Sequence, residues 1–137
     1  MRARAPQPQP HSPPHPQSGW LVALCIVAWA IPGAGHLWLG RRAKGLILLV
    51  ALVLMFSIGL LIQGRLFPLQ ISDLLAGLMC VAELGIGVPY VIARALGAGE
   101  GRVLAVTYEY GNAFMIAAGL LNMLVVADAY DIALGRK

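Results

Sequence analysis

"AIPGAGHLWLGRRAKGLILLV", residues 30–50, passes from apolar to glycine-rich to basic and back to apolar. Pro32 removes a backbone donor and stops a helix, while Gly33 and Gly35 permit backbone angles closed to other residues. His36 and Trp38 suit an amphipathic interfacial segment, and Gly40 turns the chain. Arg41, Arg42 and Lys44 would anchor at headgroups, and Gly45 would open the next helix. The stretch reads as a tethered hairpin between two apolar segments.

Composition agrees with a bilayer as solvent. Of 137 residues, 59% are hydrophobic and only 12% charged, and the mean hydropathy is +0.77; an ordinary soluble domain carries about twice that charge. Apolar stretches run over 20–39, 45–62, 71–93 and 111–134. A helix needs about 20 mostly apolar residues to cross the hydrocarbon core. The expectation is an all-α integral membrane protein of about four transmembrane helices, with a broken or interfacial segment after the first. That first stretch crosses fully only if it continues through Pro32 and Gly33. A cleaved signal peptide with Ala28 and Ala30 at its cleavage site is disfavoured by the long proline-rich leader and by the span that follows directly. "LVALC" has the outline of a lipobox, but Leu24 is too large and no apolar region precedes it. Cys25 and Cys80 both fall within predicted spans and read as small buried residues.

Residues 1–19 hold six of the nine prolines and cannot bury a core, so they read as a disordered tail of polyproline II character, with 20–137 as the helical membrane domain. Two PxxP spacings and the pair His11 and His15 in the tail are weak ligand or metal signals beside a plain solvated reading. Four spans would place Arg2, Arg4, Arg65, Arg136 and Lys137 on one side and Arg41, Arg42, Lys44, Arg94 and Arg102 on the other, five against five. The basic hairpin loop lies nearest a span, which favours a cytoplasmic loop with both termini outside. Gly97, Gly99 and Gly101 alternate without the GxGxxG register or a βαβ context, so they form a loop. Tyr108 and Tyr110 before the last stretch suit the headgroup layer.

Glu83 is the outlier, since a charge at mid-span costs roughly 3 kcal/mol on insertion scales. Steps of three and four align it with Asp73, Ala76, Cys80, Gly87, Tyr90 and Arg94, a stripe that should face other helices. In the last span Asn112, Met115, Gly119, Asn122, Val126, Ala129 and Ala133 share a face suited to close helix packing. The expected contact is a neutral Glu83 donating to Asn122 or to a water. Glu83 is then either a packing residue or a proton or cation site. Asp128 and Asp131, at i and i+3 near the chain end, read as a helix end salt-bridged by Arg136 and Lys137, ahead of a metal or acid/base pair.

"PGAGHLWLGRRAKGL" resembles the PGxGHxYLGxxxKG signature of bacterial small membrane proteins related to the two-transmembrane domain superfamily, through Pro32, Gly33, Gly35, His36, Leu39, Gly40, Lys44 and Gly45. Trp38 replaces the usual tyrosine. The closing segment from Thr107 resembles an uncharacterised bacterial group in that neighbourhood. The resemblance implies a small multi-span inner-membrane protein with no assigned chemistry. No Ser-His-Asp set, HExxH or CxxC is present, and no cofactor or metal is expected. The leading expectation is a non-enzymatic scaffold or accessory subunit whose partners are the bilayer and other membrane proteins or further copies of itself, not nucleic acid. The alternative is a small oligomeric ion or solute permeation protein using Glu83. An embedded enzyme would need His36, Asp128 and Asp131 to converge.

Overall fold

The computed structural model describes residues 18–69 and 72–136, so the proline-rich tail with its PxxP spacings, His11 and His15 lies outside the described residues. Six helices follow in order: α1 (Ser18–Ala30), α2 (Ala34–Trp38), α3 (Arg42–Leu61), α4 (Leu74–Leu84), α5 (Val88–Ala95) and α6 (Tyr108–Ala133). The only strand-like pairing among the described residues is an isolated bridge between Arg65 and Glu100.

Two helices are long and apolar enough to cross a membrane, α3 and α6. They pack as an antiparallel pair. At one end Lys44 of α3 meets Asp128 of α6; at the other, Gly59 and Gly64 lie against Gly111, where a Cβ on Gly111 would sit 2.5 Å from the Gly64 nitrogen. These are called below the hairpin end and the loop end.

The expected count of four spans does not hold: two helices qualify, or three if the bent pair α4 and α5 is one span. The reason lies in two breaks. The predicted span over 71–93 bends by 113° between α4 and α5. Gly87 there takes φ +80, ψ −129, a conformation that suits glycine alone, and Pro89 follows in the first turn of α5. The pair returns to the loop end, where Leu66 N donates to Gly99 O at 2.8 Å. The predicted span over 20–39 likewise stops after the 13 residues of α1, at Pro32 and at Gly33 with φ +78. The short α2 then climbs back to the hairpin end. The first segment is therefore a half-length helix followed by a return.

α1 and α4 both pack on α6, but not side by side with one another. Ala28 of α1 lies with Gly35 against Ala129, whereas Ala82 and Gly85 of α4 lie against Gly119. The two short helices thus occupy different halves of α6, approach from opposite ends, and meet with their C-terminal ends together. Under the junction Leu52, Phe56, Leu66, Cys80, Ile86, Tyr90, Ala93, Met115 and Ala118 form one core. Leu46, Ile47, Val50 and Leu54 of α3 point outward and exposed, which suits hydrocarbon and would be costly in water. Asp73 starts α4 by accepting from Leu75 N at 3.0 Å and Ala76 N at 3.2 Å, satisfying two of the donors a helix start leaves free.

Candidate functional site

A helix that stops inside a bundle leaves carbonyls that water cannot reach, and each must find a donor. Asn122, fully buried about midway along α6, supplies both of its amide hydrogens. Nδ2 donates to Trp29 O at 3.0 Å and to Gly85 O at 2.9 Å, so one side chain clamps the ends of α1 and α4. Trp29 adds a second tie, its Nε1 donating to Leu84 O at 3.1 Å. The close approach depends on small residues: a Cβ on Gly119 would run into Ala82 O, and one on Gly87 into Trp29 O.

Glu83 is fully buried one turn below this clamp, its Cα against Gly119. Its Oε2 accepts from Phe67 N at 3.0 Å. The expected bond to Asn122 is not made: the Asn122 amide hydrogens go to the carbonyls freed at the breaks, and its Oδ1 does not meet the Glu83 carboxyl. Phe67 O in turn accepts from Tyr90 Oη at 3.3 Å, and Tyr90 Oη lies 3.5 Å from Cys80 Sγ. Among the described residues Glu83 Oε1, Asn122 Oδ1 and His36 Nδ1 are buried without a hydrogen-bond partner.

At the hairpin end, His36 is fully buried rather than interfacial. Its Nε2–H donates to Asp128 Oδ2 at 2.9 Å, and Lys44 Nζ donates to the same oxygen. Asp128 is thus tied to the hairpin. Asp131 pairs with the chain end, with Arg136 at 3.4 Å. The sequence reading separated these groups because a four-span chain puts the hairpin loop and the C-terminus on opposite sides. His36 and Asp128 converge, and Asp131 stays apart from them. Pro32, Gly33 and Gly35 are buried and hold α2 against α1, α3 and α6, with Gly35 wedged where a Cβ would lie 2.8 Å from Ala28 Cβ and 2.9 Å from Ala129 Cβ. Gly40 turns the chain with φ +78. Gly45 lies inside α3, which begins at Arg42; its role is contact, since a Cβ would come 2.7 Å from Leu37 Cγ. Arg41 and Arg42 are exposed.

At the loop end Asn112 Oδ1 accepts from Arg65 N at 2.8 Å, closing the turn after α3. Gly97, Gly99 and Gly101 all have positive φ, at 67, 78 and 65, and curl the loop over Arg65. Arg65, Arg94 and Glu100 line a polar concavity of about 440 Å³ there, with Leu66 and Pro68 in its wall. The Trp29 and Gly85 carbonyls, and the pairing of Lys44 with Asp128, had no signal linking them to these sites, although "GIGVP" at 85–89 carries the same glycine and proline punctuation as "PGAG" at 32–35. Among the described residues no group of three or more His, Cys, Asp or Glu is placed to hold a metal ion.

Residues 23–137 match a family of unknown function, DUF6677, and the chain belongs to that family. No curated protein and no solved structure matches it.

Proposed function

We propose that this member of a family of unknown function is a non-enzymatic membrane protein of the bacterial inner membrane, built on a two-transmembrane-like hairpin, that serves as a scaffold or accessory subunit of a larger membrane assembly. One observation carries the reading. Where α1 ends and α5 begins, an apolar cleft of about 320 Å³ opens on the side of α3 at mid-depth, lined by Ala30, Ile31, Pro32, Val50, Val53 and Val88. A helix from a partner fills such a recess with van der Waals contact that lipid chains match poorly. The polar groups already described, by contrast, mostly tie broken backbone, which is a structural task.

Orientation follows from the revised topology. Among the described residues Arg41, Arg42, Lys44 and Arg136 belong to the hairpin end and Arg65, Arg94 and Arg102 to the loop end, four against three. With the hairpin loop cytoplasmic, as the sequence favours, the end of α6 shares that side instead of lying outside.

Affinity purification of the tagged full chain from its native membrane in mild detergent tests the function. A stoichiometric membrane partner lost on Val50→Trp, which fills the cleft, supports the accessory role. Recovery of a homo-oligomer alone, unaffected by that change, overturns it and favours a second reading, ion or solute permeation, to which the unpartnered Glu83 Oε1 lends weight.

A further inference from the structure

We propose that Glu83 is the binding site for an exchangeable monovalent cation, a proton or Na⁺, reached from the loop end of the molecule through the Arg65–Arg94 concavity. The proposal shares a residue with the permeation reading but requires no passage across the membrane, and it stands or falls on the isolated chain.

Three observations converge on it. The first is electrostatic. α1 and α4 both direct their C-terminal ends at the mid-depth junction, where α2 and α5 begin within a few residues, so the opposite half-charges of the helix ends largely offset one another. What remains is the carboxylate on the last turn of α4, a negative charge in a zone away from water. No salt bridge to Glu83 is made within 4.0 Å among the described residues. Its field partners are Arg94 and Tyr90 of α5, with Cys80 of its own helix beside Tyr90. From α6 it meets Gly119 and near it Asn122, and from the loop after α3 the Phe67 amide, none of which is ionisable. A cation or a proton on the carboxyl balances this arrangement.

The second observation is the pair of oxygens left over. Glu83 Oε1 and Asn122 Oδ1 are both fully buried acceptors without a donor, on neighbouring turns of the α4–α6 contact. Buried acceptors of this kind mark water, ion or proton positions. Half-helix ends meeting at mid-depth beside such oxygens supply the donor chemistry a small monovalent cation takes.

The third is access. Phe67 N holds Glu83 Oε2 on one side, and its chain neighbours Leu66 and Pro68 form the wall of the concavity on the other. The 66–68 segment thus touches the buried carboxyl through Phe67 N and the polar vestibule through Leu66 and Pro68. The Tyr90 hydroxyl pins that layer through Phe67 O.

The test is solid-state NMR of the full chain in liposomes with ¹³C-carboxyl glutamate. The chain has three glutamates, Glu83, Glu100 and Glu109, so a Glu100→Gln/Glu109→Gln variant leaves Glu83 alone and assigns the signal even where Glu83→Gln fails to fold. The expected result is a Glu83 carboxyl signal that shifts on titration with pH, with Na⁺ at fixed pH, or with both. A response to pH alone identifies a proton site; displacement by Na⁺ with proton release identifies a cation site. A signal unchanged through both titrations overturns the proposal and leaves Glu83 a packing residue.

Discussion

Lys44 and Asp128, 84 residues apart, form an ion pair at the same carboxylate oxygen that holds buried His36. The contact joins the start of α3 to the last turns of α6, and so places the hairpin loop and the C-terminus at one end of the bundle.

Topology reporters check that arrangement directly. Fusions in the Arg41–Lys44 loop and after Gly135 are expected to report the same compartment, and a reporter inserted near Arg102 the opposite one. Opposite signals from the first two would require an odd number of crossings between them and refute the fold.

Asn122→Ala removes both donors from the Trp29 and Gly85 carbonyls and leaves a small cavity. A loss of about 2 to 4 kcal/mol in reversible unfolding from mixed micelles is expected. Asn112→Ala, which strands the single Arg65 amide, is expected to cost less, about 1 to 2 kcal/mol.

Gly119→Ala drives a methyl into Ala82 O, whereas Gly19 has open space around it. The first change is expected to destabilise by about 1 to 3 kcal/mol and to loosen α4 from α6, read as faster hydrogen exchange over 78–87. Gly19→Ala serves as the neutral comparison.

His36 and Lys44 share Asp128 unequally. Lys44 is 46% exposed, so Lys44→Ala is expected to cost less than about 1 kcal/mol. His36→Ala empties a fully buried position and is expected to cost about 2 kcal/mol or more, with both changes read by thermal unfolding in detergent.

Much of the helical content was legible because α3 and α6 announce themselves by unbroken apolar length; their ends fall within a few residues of the stretches 45–62 and 111–134. The burial of Asn112, Met115, Gly119, Asn122 and Ala129 also follows a helical period visible in the chain. What periodicity could not reveal was direction. A stripe through Glu83, Gly87 and Tyr90 looks continuous at steps of three and four, yet the chain turns by 113° in its middle. Hydropathy is blind to such a turn, because residues on either side of it are equally apolar. Once the crossing number is wrong, the hairpin and the C-terminus fall on opposite sides, so the contact of Asp128 with Lys44 and His36 goes unforeseen, while the local pair of Asp131 with Arg136 is legible.

The seating of α1 on α6 has a consequence for synthesis. α1 is made well before α6, the helix it packs against. At 13 residues α1 is too short to hold a transmembrane position by itself, so until α6 is made its main helix contact is with α2. Maturation therefore closes from the C-terminus, and a ribosome stalled before Asn122 leaves a chain whose beginning is still undocked.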